Sequence, residues 1–339
     1  MSENVMDQIV AELRGSALGL FAGHSELKNV RVVGHTPKTD HYTYDIVVDF
    51  TDGSERVSAK VYRASKVGPA GAKQMAKTEF GNLSYVHKIF EKKGLAGVPR
   101  PLGDFTDAGA VVTVKWSGLP LQSIVMKAAL LPGYADHDVL KLSARKAGEW
   151  LRNFHKATAD MPVAFDGAGL LAELAAACER CRAEGLEEAS IRTILSGAKA
   201  TLSRVKKALP HAAVLNDFTP LNVIVSEHGV GVCDYAKMSK RGLAYADAAQ
   251  FLACVEALEK YPFCNREITG EVQAEFMSAY GVSPTEEAVL RVMKMKALLG
   301  MFAQGRGMKD SAVRKKVMWA TVMKRFIQNA AQRSLAPAA

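Results

Sequence analysis

The amino-acid sequence predicts an α+β fold with a small N-terminal lobe of antiparallel sheet and a larger, mainly helical C-terminal lobe. Apolar residues alternate with a period of two between residues 29 and 62, which is typical of half-buried strands. After residue 118 the spacing is mostly helical, apart from a polar motif at residues 216–234. We expect the N-terminal lobe over residues 1–115 and the C-terminal lobe over residues 116–339, with a cleft between them.

The N-terminal lobe is predicted to hold two helices and an antiparallel sheet. An apolar stripe that includes Ile9 and Leu13 indicates a helix near residues 4–20, and helical composition ended by Gly94 indicates another over residues 73–93. A Thr-Asp-Gly turn at residues 51–53 joins two of the strands. The predicted strands cover residues 29–34, 42–50, 56–62 and 111–116.

The C-terminal lobe is predicted to be helical except around the polar motif, where two short strands lie near residues 223–225 and 230–233. The predicted helices cover residues 138–158, 170–184, 187–208, 245–259, 269–280, 286–302 and 311–332.

Composition indicates an ordinary globular protein. The chain has 339 residues, of which 48% are apolar and 23% charged, and no apolar run approaches the length of a membrane-spanning helix. The N-terminus carries acids where a signal peptide carries basic residues, so we expect a soluble cytoplasmic protein. Five unevenly spaced cysteines do not suggest a disulfide framework.

The net charge of +9 is concentrated near the C-terminus. Residues 291–325 contain ten Lys or Arg and one acid, and several methionines lie in the same helices. Such a stretch is either a solvated helix face with methionines in the core, or a surface for peripheral contact with an anionic membrane. No specific nucleic-acid motif is present, and the sequence does not reveal the oligomeric state.

The motif at residues 216–234 carries the chemistry. Asp217 and Asn222 stand five residues apart, an apolar strand-like run follows, and Asp234 closes the stretch. One carboxylate can accept a proton from an attacking hydroxyl, while an amide oxygen and a second carboxylate are hard ligands of the kind Mg²⁺ prefers. Upstream, a predicted strand holds Lys60 and the following helix holds Glu79, which suits a lysine that pairs with phosphates and a carboxylate that positions it.

These residues, in this order, resemble the aminoglycoside phosphotransferase and choline kinase superfamily, which shares the protein-kinase-like fold, over residues 30–280. The segment at residues 217–222 looks like that family's catalytic loop, and residues 233–236 look like its metal-binding motif. The resemblance implies ATP and Mg²⁺ as cofactors. Residue by residue, it implies Asp217 as catalytic base, Asn222 and Asp234 as metal ligands, Lys60 and Glu79 at the nucleotide, Val114 and Trp116 at adenine through their backbones, and Asp247 as a support of the catalytic loop.

Two features depart from the family pattern. Leu215 stands where the family commonly has a histidine that acts as a structural brace. The first hairpin, at residues 34–41, has one glycine where a phosphate-covering loop often has several. Side chains of Thr36, Lys38 or Thr39 are candidates for phosphate contact there, and a plain β-turn is the alternative.

The sequence therefore predicts an ATP-dependent kinase that phosphorylates a hydroxyl of a small molecule, with a sugar or a lipid-linked glycan as one candidate acceptor class. A pI of about 9.2 argues mildly against a polycationic aminoglycoside. A nucleotide-binding scaffold or pseudokinase without turnover is the alternative, and a basic membrane-associated module is a third reading.

Overall fold

The structure, a computed structural model, describes residues 2–131, 133, 136–261, 263–306, 317 and 319–335. The chain divides into two compact units. The first contains Met1–Gly118 and also Ile224–Met238, a segment from much later in the chain. The second contains Leu119–Val223 and Ser239–Ala339. Helices and antiparallel strands confirm the predicted α+β class, whereas the lobe boundary at residue 115 stays a prediction.

The strands are short outside the N-terminal sheet. They are β1 (Leu27–Pro37), β2 (His41–Phe50), β3 (Ser54–Tyr62), β4 (Ala110–Val114), β5 (Leu119–Pro120), β6 (Val163–Ala164), β7 (Ala208–Leu209), β8 (His211–Val214), β9 (Val223–Ser226), β10 (Gly229–Val232) and β11 (Ser239–Leu243).

Helices supply most of the remaining structure. They are α1 (Ser2–Leu20), α2 (Ala64–Val67), α3 (Pro69–Lys92), α4 (Leu121–Leu130), α5 (His137–Ala157), α6 (Gly167–Ala183), α7 (Glu188–Leu202), α8 (Tyr245–Glu256), α9 (Arg266–Tyr280), α10 (Pro284–Arg306) and α11 (Lys324–Leu335).

In the first unit, an antiparallel sheet of order β1-β2-β3-β4 carries a different set of residues on each face. Val57, Ala59 and Val61 of β3 belong to the core cluster that also holds residues of α1, such as Ile9. Because successive strand residues point to opposite faces, Lys60 lies on the face away from that cluster. The sheet thus keeps Lys60 outside an apolar core while holding its backbone in a ladder between β2 and β4.

The second unit is built on helix packing around aromatic side chains. Phe154, Phe251 and Phe276 are fully buried, and the rings of Phe251 and Phe276 stack with centroids 4.1 Å apart. Gly148 of α5 lies so close to α9 that an added Cβ would be 2.4 Å from the carbonyl oxygen of Phe276. A residue without a side chain is therefore required at this helix crossing.

The structure corrects several predicted elements. The helix expected over residues 187–208 ends at Leu202, and α4 occupies a segment for which no helix was specified. The expectation that only two short strands interrupt the helical part was wrong, because β8 and β11 also pair there. Such runs of four or five residues are stabilised by pairing with distant strands, which local periodicity does not reveal.

The basic C-terminal stretch is partly neutralised by carboxylates of the chain itself. Lys294 pairs with the buried Glu256, Lys296 with Glu173, and Lys324 with Glu187. The first residues of the helix predicted over residues 311–332 lie outside the described residues. Met308 and Met318 also lie outside them. Met293, Met295 and Met323 are buried, as expected for methionines in a core.

None of the described helices is long and apolar enough to cross a membrane.

We expect Gly148→Ala to destabilise the protein by about 1–3 kcal/mol, because the new methyl group must displace the backbone of α9. Gly270→Ala is the matched control, since nothing lies within 4 Å of a Cβ at that position and alanine favours a helix interior. Thermal unfolding of both variants measures the difference. A melting temperature of Gly148→Ala equal to that of the wild type would show that the two helices are not tightly packed here.

Candidate active site

Lys60 and Glu79 form a shielded ion pair in the first unit. Lys60 Nζ lies 3.0 Å from Glu79 Oε1, and the side chain of Glu79 is only 3% exposed. The hydroxyl of Tyr62, two residues after Lys60 on β3, donates to the other carboxylate oxygen at 2.6 Å. Glu79 comes from α3, so this carboxylate joins the helix to the strand at the residue predicted to hold phosphate.

Asp234 lies beside the ion pair of Lys60 and Glu79, in a segment that is hydrogen-bonded to α3. Lys60 Nζ lies 3.4 Å from Asp234 Oδ2. The backbone N–H of Tyr235 donates to Glu79 Oε1 at 3.4 Å, and that of Ala236 donates to Asp234 Oδ1 at 3.0 Å. The structure therefore brings together three of the predicted site residues: Lys60, Glu79 and Asp234.

Asn82 is a site residue that sequence reasoning missed. Its side-chain amide is buried and donates to the carbonyl oxygens of Tyr235 and Met238, at 3.0 and 3.2 Å. Its position three residues after Glu79, on the same face of α3, was the available signal. Asn82 and Glu79 together fix the backbone on the C-terminal side of Asp234.

The surrounding charges keep Lys60 in its ionised form, which suits an anionic ligand. Burial lowers the pKa of Lys60, but the negative charges of Glu79 and Asp234 outweigh it and hold that pKa above its ordinary value. Burial, followed by the charge of Glu79, raises the pKa of Tyr62, so its hydroxyl remains protonated and donates to the carboxylate. Lys60 is therefore an ammonium group across the physiological pH range.

The predicted catalytic loop lies in the second unit and has an unusual backbone. Asn216 has a φ of 59°, in the left-handed region that residues other than glycine rarely adopt. The side chain of Asn222 donates to the carbonyl oxygen of Asp217 at 2.9 Å. Between them Phe218 is fully buried, with its ring stacked against Trp150 at 6.0 Å. The loop is thus anchored by an aromatic side chain, and Asp217 and Asn222 are brought together.

Asp247, which the resemblance implies as a support of this loop, accepts hydrogen bonds from the loop backbone. It is fully buried and accepts the backbone N–H groups of Leu215 and Asn216 at 2.8 and 2.9 Å. The imidazole of His155 on α5 contacts Asp247 Oδ2 at 3.2 Å through Nε2 and the hydroxyl of Tyr280 at 2.9 Å through Nδ1. His155 therefore contacts the loop indirectly, through Asp247.

Asn222 in the second unit and Asp234 in the first each carry a side-chain oxygen of the kind that hard divalent cations prefer. The side-chain nitrogen of Asn222 donates to the carbonyl oxygen of Asp217, and this bond fixes the orientation of the side-chain oxygen of Asn222. Asp234 supplies a carboxylate that is 26% exposed. In the described part of the chain, no group of three or more His, Cys, Asp or Glu residues could hold a metal alone. Phosphate oxygens and water would have to complete the coordination, as is usual for Mg²⁺.

Val114 and Trp116, the residues predicted to meet adenine, lie at the end of β4. The N–H of Val114 donates to the carbonyl oxygen of Arg100 at 2.9 Å. The indole of Trp116 packs on Gly231, where an added Cβ would be 2.5 Å from the ring. Both residues line a cavity of about 500 Å³ that also includes Phe21 of the segment after α1. Their backbone contact with adenine stays a prediction.

We expect Asp247→Asn to destabilise the protein by about 1–3 kcal/mol and to lower turnover, because an amide side chain cannot accept both loop N–H groups. Denaturant unfolding and steady-state kinetics measure the two effects. Asp138→Asn, at an exposed position in the first turn of α5, should change stability by less than about 0.5 kcal/mol. Equal stability of the two variants would contradict the supporting role of Asp247.

A profile of the APH phosphotransferase enzyme family matches residues 47–292, which is well over half of the chain. No curated protein matches the chain in sequence.

Three solved structures are similar over nearly the whole chain. An amicoumacin kinase in complex with AMP-PNP, Ca²⁺ and Ami has a TM-score of 0.54 at 12% identity, covering 100% of this chain and 98% of that one. A thermostable mutant of an aminoglycoside phosphotransferase, in a ternary complex with AMP-PNP and hygromycin B, has a TM-score of 0.54 at 13% identity, covering 96% and 100%. A glucosamine kinase in complex with glucosamine, ADP and inorganic phosphate has a TM-score of 0.53 at 15% identity, covering 94% and 98%.

At these identities the structural similarity establishes the fold, and the family profile establishes the relationship. Both confirm the resemblance inferred from the order of the lysine, glutamate, asparagine and aspartate positions. The chain belongs to the phosphotransferase enzyme family and is a small-molecule kinase with the protein-kinase-like fold.

Proposed function

We propose that the protein transfers the γ-phosphate of ATP to a hydroxyl group of a sugar. The observation that supports this most directly is the arrangement of Lys60, Glu79 and Asp234. An ammonium group is held on a rigid strand by a buried carboxylate, beside a second carboxylate that is exposed enough to meet a ligand. This arrangement suits a bound polyphosphate better than it suits a purely structural role, because a structural lysine needs only one partner.

Each residue then has a distinct task. Lys60 binds the α- and β-phosphates, and Glu79 keeps its side chain extended toward them. Asn222 and Asp234 would hold Mg²⁺, which supplies charge neutralisation at the phosphates when bound. Asp217 accepts a hydrogen bond from the acceptor hydroxyl and aligns its oxygen with the γ-phosphorus. It takes the hydroxyl proton as the new P–O bond forms, while the bond from the γ-phosphorus to the bridging oxygen breaks and ADP leaves. Asp247 keeps the backbone of Asp217 in place.

The acceptor is proposed from two observations. The similar structures named above include a kinase solved with glucosamine and a phosphotransferase solved with hygromycin B, which both carry sugar hydroxyls. The excess positive charge of this chain disfavours a strongly cationic acceptor. A neutral or singly charged sugar hydroxyl is therefore the best-supported acceptor, in place of a polycationic aminoglycoside.

We expect Asp217→Asn and Asp234→Asn each to reduce kcat by about 100-fold or more, because positioning and charge provide most of the catalysis in phosphoryl transfer. Asp107→Asn is a suitable control, since the side chain of Asp107 is 85% exposed and forms a surface ion pair with Lys77. Circular dichroism should show all three variants folded. Wild-type turnover in purified Asp234→Asn would rule out the assigned role of that residue.

We expect ATP consumption to rise with glucosamine or another monosaccharide and to rise less with hygromycin B, given the positive charge of the chain. A coupled assay for ADP release across a panel of sugars, aminoglycosides and choline measures the preference. Magnesium-dependent ATP binding without turnover on any of these acceptors would favour the alternative, a nucleotide-binding scaffold.

A further inference from the structure

The first hairpin of the sheet holds its shape without the glycines expected of a phosphate-covering loop. At its tip, Lys38 N–H donates to the carbonyl oxygen of His41 at 2.9 Å. Arg63, just after β3, donates its N–H to the carbonyl oxygen of Asp40 at 2.8 Å and its Nη1 to that of Lys38 at 3.1 Å. The Arg63 guanidinium also lies 4.7 Å from the ring centroid of Tyr42. The tip is therefore fixed by an arginine that caps its carbonyl groups.

This anchored turn places His41 on the same sheet face as Lys60. His41 pairs with Tyr62 across the ladder, and the next residue on that face, Thr43, pairs with Lys60. The imidazole meets the Tyr62 ring edge-on with centroids 5.9 Å apart, and Lys60 Nζ lies 5.4 Å from the centroid of the same ring. His41 thus sits beside the proposed phosphate-binding lysine, at the tip of the hairpin.

Asp40 fixes which nitrogen of His41 is available. Asp40 Oδ1 lies 2.7 Å from His41 Nδ1, so Nδ1 carries the proton and donates to the carboxylate. Because Nδ1 is bonded to Asp40, Nε2 is the ring nitrogen that can contact a ligand. The side chain of His41 is 13% exposed. This orientation of an imidazole by a carboxylate resembles the way proteins prepare histidines for binding.

The charges around His41 favour its neutral form in the free protein. Burial lowers the pKa of His41, and the charge of Lys60 lowers it further, while Asp40 and Asp234 oppose these effects without overcoming them. The facing groups are Asp40 on the turn, Lys60 and Tyr62 on β3, and the carboxylates of Glu79 and Asp234. With one cation among three carboxylates, a polyphosphate arriving here needs additional positive charge.

We propose that His41 is a nucleotide-binding residue, which takes up a proton from solvent when ATP or ADP binds and donates a hydrogen bond from Nε2 to a terminal phosphate oxygen. The imidazole then replaces the backbone N–H groups that glycines present in other phosphate-covering loops. The inference rests on the proposed function, since it assumes that Lys60 holds the phosphates. It adds a pH dependence to nucleotide binding that Lys60 alone does not provide.

The sign of the pH dependence of nucleotide affinity follows from the coupling between proton binding and nucleotide binding. In the free protein the pKa of His41 lies below its ordinary value, and an adjacent phosphate anion raises it in the complex. Binding therefore absorbs a proton, and nucleotide affinity falls as pH rises through the pKa of the complex. At pH values well above that pKa, the hydrogen bond from Nε2 is lost.

The test is calorimetry of ADP binding in the presence of Mg²⁺, between about pH 6 and 8, in two buffers with different ionisation enthalpies. We expect His41→Gln to weaken ADP binding about tenfold at the lower pH and to remove the extra proton uptake seen in the wild type. His35→Gln is the matched control, because His35 lies on the same hairpin, is exposed, and pairs with Tyr44 on the opposite sheet face. It should behave as the wild type does.

Equal ADP affinity and equal proton uptake in His41→Gln, His35→Gln and the wild type would overturn the inference while leaving the proposed function intact. Failure of the proposed function gives a different result, since the wild type would then not bind ADP and Lys60→Ala would change nothing. Because the experiment measures binding directly, a loss of turnover does not change the comparison of ADP affinities.

A melting temperature for each variant shows whether His41→Gln folds. If it does not fold, His41→Asn is measured in its place, and wild-type ADP affinity and proton uptake in that variant would equally overturn the inference.

Discussion

The buried carboxylate of Glu79 is the constraint on which the rest of the first unit's site depends. It accepts from Lys60, from the hydroxyl of Tyr62 and from the backbone of Tyr235, so it joins β3, α3 and the Ile224–Met238 segment in one place. A charge this deeply buried is tolerated only when its partners are all present, and removing one partner of such a pair typically costs about 3–5 kcal/mol. The same three bonds that make Glu79 acceptable in the interior also determine where Lys60 and Asp234 lie.

Leu215 shows why the absence of the family's usual histidine need not weaken the catalytic loop. The loop is held through its backbone, because the N–H of Leu215 itself donates to Asp247, and this bond does not depend on the side chain. The leucine side chain is 1% exposed and contributes to the core instead. An imidazole is still present next to Asp247, but it comes from His155 on α5, sixty residues earlier in the chain. The backbone of the loop is therefore connected to α5 through Asp247 and His155.

The sequence predicted the sheet and the main helices, because periods of 2 and 3.6 are local properties of the chain. The order and spacing of Lys60, Glu79, Asp217, Asn222, Asp234 and Asp247 form a motif, from which the sequence predicted a site. The structure brings Lys60, Glu79 and Asp234 together, and the functional roles of the six residues stay predictions. It did not identify Asn82 or the bond of His155 to Asp247, since those contacts join residues 153 and 92 positions apart. Contacts of that kind depend on how the elements pack, and no local pattern encodes them. The same holds for β8 and β11, which exist because they pair with each other.

Each of the two units, taken by itself, contains a buried acid that holds the backbone beside an aspartate predicted from the sequence to be functional. In each unit a buried acid accepts the backbone N–H adjacent to a functional aspartate: Glu79 accepts that of Tyr235, next to Asp234, and Asp247 accepts that of Asn216, next to Asp217. The backbone beside each of these aspartates is therefore fixed by a buried acid, and the carboxylate of Asp234 is also held by Lys60 and by the N–H of Ala236. Glu79 is matched by the ammonium group of Lys60 and by a backbone N–H, and Asp247 is matched by two backbone N–H groups and a contact with His155. Asp217 and Asp234 are themselves partly exposed, so their carboxylates remain accessible to a ligand although the acids that hold the adjacent backbone are buried.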